Sequence, residues 1–418
     1  MARRYLITRN SWKFLLAWLL FCVIFYLLLE GKSYEPTSTT PLSSYPLQIV
    51  EDHNDTSATL LEEHPKERNR TRFILLYTNF FDEAHWGLPS ATLGPDYFKN
   101  KQCAVTNCVV TSDHGLLKSI TEYDALVYHT ATYWNVKPPS IRVARQIYIA
   151  AIMESPAQTW NPLGEDTNYF FNWTMTYRLD SDVLFNYGFI LDRESGGVVG
   201  PAIKPMWRNG FDEYKNASLV ELVSKKRSMA AQFVSHCNAV SKRDELVQSL
   251  QSAGLTVDVY GACGSLKCPH NNPECEKMMD DVYWFYLSFE NALYVDYVTE
   301  KLYNALVHNI VPIVYGGADY TRFLPPGSYI DVQDYASPKE LVDYLLHLTK
   351  NPHEYVKYFW WKEHYVAVNR EARISFAAWC QLCEKLHSAS TSTATKYYRD
   401  LKSWWHDDVS TAAQKLKF

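Results

Sequence analysis

The feature that most constrains the fold is a series of short apolar runs, each bounded by polar turn residues and followed by a stretch long enough for a helix. In the first half of the chain these runs lie at 73–78, 108–113, 125–131 and 146–155. Continuous apolar runs of this length are typical of strands buried on both faces, and helix-sized gaps favour parallel pairing. The first half is therefore predicted to be α/β, built on a parallel sheet.

A second series of the same kind starts near residue 229. Its apolar runs lie at 229–236, 257–261, 284–291, 310–316 and 328–332. We predict helices at about 240–252, from about Thr299, and from the capping-box pattern Ser337-Pro338-Lys339-Glu340.

Together the two series predict an α/β protein with two Rossmann-like doubly wound domains. A chain of 418 residues is too long for one comfortable core. We place the domains at 72–222 and 223–372, joined at the low-structure segment 215–228. Domains of this kind bind ligands in a cleft at the carboxyl ends of their strands.

The N-terminal segment predicts a membrane anchor. Sixteen uncharged residues, 14–29, follow a tail, 1–13, that carries Arg3, Arg4, Arg9 and Lys13. The positive-inside rule then places the tail in the cytosol and the remainder outside it, a type II arrangement. A cleaved signal peptide is the competing interpretation, but Leu28-Leu29-Glu30 offers no small-x-small cleavage site. The Ser-, Thr- and Pro-rich stretch 30–71 is predicted to be a disordered stem.

Composition agrees with a lumenal chain that does not bind nucleic acid. There are 41 Lys and Arg residues against 46 Asp and Glu residues, with no long basic tract. Cys22 lies in the apolar segment, which leaves eight of the nine cysteines for the lumen. Zinc ligation is the alternative for C-x(2)-C spacing, but an oxidising lumen favours disulfides. Glycosylation sequons, which agree with this topology, occur at Asn54, Asn69, Asn172 and Asn216.

The segment from Phe289 to Gly317 carries the strongest chemical signal. Its pattern is strand, loop, helix and strand, with Thr299 placed to cap the helix and Glu300 and Lys301 in its first turn. A lysine at a helix start suits a phosphate or diphosphate, and a neighbouring carboxylate can accept two ribose hydroxyls. A capped core helix with surface charges is the equally weighted alternative.

An ordered set of motifs extends this signal over most of residues 72–385. The central motif is F-E-N-x(4)-D-Y-V-T-E-K-L followed by V-P-I-V-Y-G. It is accompanied by ILLYTNFF, C-x(4)-C-V-V-T-S-D, M-E-S-P, M-T-Y-R-L-D-S-D, S-H-C-N-A with Arg243, V-D-V-Y-G-A-C-G and C-Q-L-C. The set resembles the α1,3-fucosyltransferases of glycosyltransferase family 10, of the insect or invertebrate Golgi type. Ala292 and Arg142-Val143 depart from the family pattern, and neither removes a residue to which we assign chemistry.

The resemblance implies a GT-B fold and an inverting enzyme. Such an enzyme moves fucose from GDP-fucose, in α1,3 linkage, to GlcNAc in the core or an antenna of glycoprotein N-glycans. It implies that Glu154 of M-E-S-P is the general base, because inversion needs a carboxylate to take the acceptor proton. The implied donor-binding residues are Arg243, Asn291, Tyr297, Glu300 and Lys301, with weaker support for Arg178.

The same resemblance would tie Cys103 and Cys108 to Cys380 and Cys383 in an order left open, so that the tail 373–418 packs back on the first domain. The pairing of the other four lumenal cysteines is also open. From the residues alone, Arg243 would be predicted as an exposed residue three positions into a helix, after a strand ending near His236.

Two further expectations concern metals and partners. Asp180-Ser181-Asp182 has the form of a D-x-D metal motif, but a structural turn is the favoured interpretation, since a metal site needs more oxygen ligands. We expect no required cofactor, with Mn²⁺ or Mg²⁺ at most stimulatory. The expected partners are GDP-fucose, an N-glycan acceptor and the Golgi membrane, and a homo-oligomer is compatible with the sequence.

A second function class fits the same fold. A catalytically silent Golgi glycan-binding protein would use aromatic loops such as 86–90 (WGLPS) and 132–135 (TYWN) as sugar-stacking surfaces. Joint retention of Glu154, Arg243, Glu300 and Lys301 favours the enzyme, because a lectin has no need for paired phosphate-binding cations.

Overall fold

The computed structural model describes residues 48–50, 70–131, 136–159, 167–269, 272–369, 376–388 and 396–406. The predicted cytosolic tail and anchor, 1–29, lie outside these residues, as does most of the stem. Within the described ranges, no helix is both long and apolar enough to cross a membrane. Residues 48–50 correct the prediction of a wholly disordered stem, since they form a short strand.

A seven-stranded sheet occupies the first half of the chain, with the order β3-β4-β2-β5-β7-β8-β9. All its pairings are parallel except that of β3 with β4. The first-half strands are β1 (Gln48–Val50), β2 (Arg72–Leu76), β3 (Thr92–Leu93), β4 (Cys108–Thr111), β5 (Ala125–His129), β6 (Ile141–Val143), β7 (Ile147–Ile152), β8 (Trp173–Thr176) and β9 (Val183–Leu184). Strand β1 pairs in parallel with β6 in a small separate sheet. Every residue of β5 and β7 is buried, as their apolar runs predict.

A five-stranded, all-parallel sheet forms the second half, with the order β13-β12-β14-β15-β16. Its neighbour is a three-stranded antiparallel sheet, β11-β10-β17. The strands are β10 (Gly188–Asp192), β11 (Val198–Gly200), β12 (Ser228–Phe233), β13 (Val257–Tyr260), β14 (Tyr283–Phe289), β15 (Val311–Tyr315), β16 (Ile330–Asp331) and β17 (Tyr365–Asn369). Residues 188–192 thus pair with residues 365–369, which joins the end of the second half to the first.

Nine α-helices lie in the part of the chain that the structure describes. They are α1 (Pro95–Asn100), α2 (Ala217–Val223), α3 (Arg243–Ser252), α4 (Pro273–Asp281), α5 (Glu300–Leu306), α6 (Pro338–Lys350), α7 (Pro352–Tyr355), α8 (Phe376–Ser388) and α9 (Leu401–His406). The α/β class is as predicted, whereas the exact domain boundaries stay a prediction. Helix α2 corrects the prediction of a low-structure joint at 215–228: the Asn216 side chain caps it by accepting from the Leu219 amide.

Three helix starts differ from the sequence prediction. Helix α3 begins at Arg243, so this arginine is the first helical residue and not the third or fourth. Ser337 caps α6, but Glu340 accepts from the Ala336 amide and not from that of Ser337, so the capping box is not reciprocal. Thr299 precedes α5 without capping it, because its hydroxyl donates elsewhere.

Four disulfides connect the described cysteines. Cys103 pairs with Cys380 and Cys108 with Cys383, which is the pairing implied by the resemblance and resolves its order. These bonds hold α8 against the seven-stranded sheet. The two remaining bonds, Cys237 with Cys263 and Cys268 with Cys275, lie within the second half.

Candidate active site

A cleft of about 720 Å³ is lined by residues of both halves at the carboxyl ends of their strands. It brings together six of the seven residues that the sequence analysis selected. They are Glu154 from the first half and Arg243, Asn291, Tyr297, Glu300 and Lys301 from the second. The seventh, Arg178, is not among the lining residues.

Arg243 is buried at the wall of the cleft, with 2% of its surface exposed. Its Nη1 donates to the carbonyl of Phe289 (2.9 Å) and its Nη2 to that of His236 (2.7 Å). The Phe289 carbonyl is at the end of β14, and the His236 carbonyl lies just after β12. The guanidinium is therefore anchored where both strands end. Burial lowers the pKa of Arg243, but an arginine remains charged at any physiological pH. The alternative of an exposed Arg243, which the residues alone would favour without the family resemblance, is therefore wrong.

Lys301 is the second cation of the cleft. Its Nζ donates to Thr299 Oγ1 and to Glu300 Oε1, both at 2.9 Å. Burial lowers the pKa of the Lys301 ammonium, but the Glu300 and Glu290 carboxylates outweigh this and raise that pKa above its ordinary value. Lys301 is therefore held charged at the cleft, and Arg243 and Lys301 give it two positive charges on neighbouring elements. Such a pair suits a diphosphate.

Glu290 completes this group, and sequence reasoning missed it. Its carboxylate accepts from the backbone amide and the hydroxyl of Thr299, both at 2.8 Å, and lies 3.6 Å from Lys301 Nζ. Only 1% of the residue is exposed. Burial raises the pKa of Glu290, against the lowering influence of Lys301 and of the Thr299 hydrogen bonds. The signal was its place directly after a fully buried strand, in the F-E-N motif.

Glu154 approaches the cleft from the opposite side, two residues after β7 ends. The residue before it is held by Tyr187, whose hydroxyl donates to the Met153 carbonyl (2.7 Å). Tyr297 lies against Tyr177, with ring centroids 4.9 Å apart, and its ring is 6.3 Å from that of Tyr187. Burial raises the pKa of the Tyr177 and Tyr297 phenols, one from each half, and the partly buried Glu154 lies close enough to raise both pKa values further.

Tyr297 and Asn291 belong to the loop between β14 and α5. Burial raises the pKa of the Tyr297 phenol well above its ordinary value, so this group stays neutral and can only exchange hydrogen bonds. Asn291 carries a buried Oδ1 that has no hydrogen-bond partner among the residues that the structure describes. A buried acceptor that faces a cleft and lacks a partner suits a hydrogen-bond donor on a ligand, such as a hydroxyl or an N–H group.

The same loop is fastened to the first half of the chain by Asp296. This residue has a left-handed backbone (φ 59°), and its carboxylate accepts from the Leu179 amide and from Arg322 Nη1, both at 3.0 Å. Burial raises the pKa of Asp296, although both of these donors act to lower it. The Leu179 amide lies in the turn between β8 and β9. Asp296 therefore links the loop that carries Asn291 and Tyr297 to the sheet that carries Glu154.

Arg178 and the D-x-D segment form a structural turn. The Arg178 guanidinium donates to both carboxylate oxygens of Asp180 (2.9 and 2.7 Å) and lies 4.3 Å from the Trp404 ring. Asp182 accepts from the Thr174 amide, from Lys396 and from Tyr398. These bonds fasten the C-terminal segment 396–406 to the first half.

Burial removes one residue from the glycan-binding alternative and one sequon from the sites whose glycosylation the sequence left open. Trp86 is fully buried and donates through Nε1 to the Thr78 carbonyl, so it cannot stack on a sugar; loop 132–135 lies outside the described residues. Asn172 is also fully buried, where it accepts from the Tyr148 amide and donates to the Lys396 carbonyl, and it cannot carry a glycan in this fold. Asn216 is half-buried, and Asn54 and Asn69 lie outside the described residues.

Comparison with protein families finds matches in both halves. The model described as "Fucosyltransferase, N-terminal" matches residues 69–188, and the one described as "Glycosyltransferase family 10 (fucosyltransferase) C-term" matches residues 223–404. Alpha-(1,3)-fucosyltransferase C of Drosophila melanogaster is 41% identical over 362 residues, 86% of this chain and 82% of that protein. Glycoprotein 3-alpha-L-fucosyltransferase A of the same organism is 31% identical over 82% of this chain and 62% of its own length.

More distant matches have the same character. The human 4-galactosyl-N-acetylglucosaminide 3-alpha-L-fucosyltransferase FUT6 is 37% identical over 68% of this chain and 72% of its own length. A crystal structure of an α1,3-fucosyltransferase with GDP-fucose is 14% identical and has a TM-score of 0.40, covering 74% of this chain and 86% of that chain.

Proposed function

Because this chain belongs to glycosyltransferase family 10, the fucosyltransferases, we propose that it transfers fucose from GDP-fucose, in α1,3 linkage, to GlcNAc of glycoprotein glycans. One observation carries the proposal beyond family membership: a lone carboxylate from one half and two cations from the other line a single cleft. We infer that the two halves form the GT-B arrangement, with the acceptor on the Glu154 side and the donor on the Lys301 side.

Glu154 is the proposed general base. The acceptor hydroxyl attacks the anomeric carbon of fucose from the face opposite GDP, and a carboxylate must take its proton as the new bond forms. Glu154 lies in the half opposite the cations, as inversion requires. The surrounding tyrosine rings keep this end of the cleft poor in water, which protects the donor from hydrolysis.

Arg243 and Lys301 are proposed to stabilise the negative charge that grows on GDP as the sugar leaves. Their side chains are fixed by hydrogen bonds before the donor binds, so little reorganisation is needed during the reaction. Glu300 is the proposed acceptor for the ribose hydroxyls, with Asn291 and Tyr297 as further donor contacts. We expect transfer to proceed in the presence of EDTA, with Mn²⁺ or Mg²⁺ giving stimulation at most.

The decisive experiment is to incubate the lumenal fragment 72–418 with GDP-fucose and a panel of defined N-glycans, then locate the added fucose by NMR. Fucose on O3 of a core or an antennary GlcNAc supports the proposal and identifies the acceptor. Binding of glycans without any transfer would support the silent glycan-binding alternative.

Residence in the Golgi membrane, with a type II topology, is part of the proposal. It is supported by the basic tail 1–13 in front of the apolar segment 14–29. Protease protection of the catalytic domain in sealed Golgi vesicles is the expected result, and digestion of that domain without detergent would overturn it.

A further inference from the structure

Glu290 is a buried carboxylate for which the proposed reaction has no direct use. It follows β14, and its backbone is fixed on both sides: its amide donates to the Tyr315 carbonyl (2.9 Å), and its own carbonyl accepts from Ser241 Oγ (2.7 Å). A buried charge costs several kcal/mol unless hydrogen bonds and an opposite charge compensate it. The groups that compensate the buried Glu290 charge therefore indicate the role of this residue.

The compensation comes almost wholly from the start of α5. Thr299 donates twice to Glu290, once from each of its backbone and side-chain groups, and Lys301 Nζ lies 3.6 Å away. The Thr299 hydroxyl donates to Glu290 and accepts from Lys301, so a single hydroxyl connects the carboxylate to the ammonium. An unbroken chain of bonds thus runs from the end of β14 to the cation of the cleft.

Other groups around Glu290 do not replace this connection. Glu300 and Arg243 contribute opposite charges nearby, and within the described part of the chain the buried hydroxyls of Tyr303 and Tyr320 have no hydrogen-bond partner. Gly316 lies against this group: a Cβ there would be 3.4 Å from Glu290 Cγ and 2.4 Å from the Tyr320 hydroxyl, so a side chain at position 316 would crowd both residues.

We propose that Glu290 is the positioning residue of the donor site: through Thr299 it holds the Lys301 ammonium in the place where the donor diphosphate binds, without touching the donor itself. The inference rests on the proposed function. It predicts the direction in which GDP affinity changes, because the Glu290 carboxylate has two opposing effects. It positions Lys301, which favours GDP binding, and it repels the diphosphate, which disfavours it. If positioning outweighs repulsion, loss of the Glu290 charge weakens donor binding.

The test is a double-mutant cycle on GDP affinity, measured by calorimetry with the full chain solubilised in detergent. Glu290→Gln keeps the shape but replaces one acceptor oxygen with an NH₂ group, and roughly tenfold weaker GDP binding is expected. In a Lys301→Met background the same change is expected to have little further effect on GDP affinity, because Glu290 acts on the donor only through Lys301. Additive effects, or tighter GDP binding by Glu290→Gln, would overturn the proposal.

A second variant keeps the test usable if Glu290→Gln does not fold. Thr299→Val removes only the linking hydroxyl, and the expected result is a raised KM for GDP-fucose with an acceptor KM within about twofold of the wild type. An unchanged donor KM would contradict the proposal. Glu221→Gln, an exposed glutamate on α2, is the matched control. Calorimetry needs no turnover, so failure of the inference is separable from failure of wild-type transfer, which would contradict the proposed function.

Discussion

The two sides of the cleft are built on opposite principles. On the first-half side a single carboxylate, Glu154, projects from the end of β7 among tyrosine rings. On the second-half side four charged side chains lie together, and the chain from Glu290 through Thr299 to Lys301 ties three residues into one network. The difference teaches that proton transfer needs one base with restricted water, whereas binding a diphosphate needs several charges whose positions are fixed beforehand.

The largest expected effect is on the side with the single carboxylate. Glu154→Gln removes the proton acceptor but keeps the size of the side chain, so kcat should fall on the order of 100-fold or more. GDP binding, measured by calorimetry, should stay within about twofold of the wild type, because the cations are untouched. Near-normal turnover would show that the base lies elsewhere, and it would contradict the assignment of proton transfer to the first-half side of the cleft.

The next effect tests the charged side. Lys301→Met removes one of the two cations, so kcat/KM for GDP-fucose should fall roughly 10- to 100-fold, the range for loss of a charged hydrogen bond. GDP binding should weaken in parallel, which Glu154→Gln does not cause. Lys225→Met, at an exposed lysine two residues after α2 ends, is the control and should behave as the wild type. If Lys301→Met left GDP affinity unchanged, as Glu154→Gln is expected to do, the two sides would not have separate tasks.

A smaller effect is expected where the two sides are joined. Asp296→Asn weakens the link between the Leu179 amide and the loop that carries Tyr297, at a cost of about 1 kcal/mol for one hydrogen bond. We expect kcat to fall about fivefold while GDP affinity stays nearly constant, because the alignment of acceptor and donor is disturbed. Asp343→Asn, an exposed residue on α6, serves as the control. A loss of GDP affinity equal to the loss of kcat would mean that Asp296 only supports the donor loop.

The sequence predicted the parts of this molecule that follow from local pattern. The buried runs identified all five strands of the five-stranded sheet and β2, β4, β5 and β7 of the seven-stranded sheet, because a strand covered on both faces must be apolar along its length. Strands β3, β8 and β9 were not predicted. Helix α2 was missed although its signals were present, namely a capping Asn216 and apolar positions at Leu219 and Val223. The pairing of β10 with β17 joins segments about 175 residues apart, which no local pattern shows.

The residues of the candidate site also differ in how far the sequence predicted them. Its charged residues were found because they lie in motifs that resemble a known family, and not because their chemistry was visible one residue at a time. Glu290 and Glu154 each follow a buried strand, and nothing in the neighbouring letters distinguishes a carboxylate that holds a lysine from one that takes a proton. The interpretation of Trp86 as a sugar-stacking residue of the alternative function was wrong, because an aromatic residue in a loop can point inward as readily as outward.

The last expected difference concerns stability and not turnover. The Cys108–Cys383 bond closes a loop of 275 residues between the first half and α8, whereas Cys268–Cys275 closes a loop of 7 residues beside the donor cleft. Cys103–Cys380 closes almost the same loop, of 277 residues, so only the loss of both long-range bonds opens it. Loop-closure entropy then gives about twice the stabilising effect of the short bond, roughly 5 against 2 kcal/mol as upper values. Replacing Cys103, Cys108, Cys380 and Cys383 together by Ser should therefore lower Tm more than replacing Cys268 and Cys275.

Donor binding should respond in the opposite order, because Cys268 and Cys275 line the cleft and Cys108 and Cys383 do not. GDP affinity measured below both unfolding transitions separates the two effects. If removal of both long-range bonds weakened GDP binding more than removal of Cys268–Cys275, the first half would take part in holding the donor. The division of labour across the cleft would then have to be withdrawn.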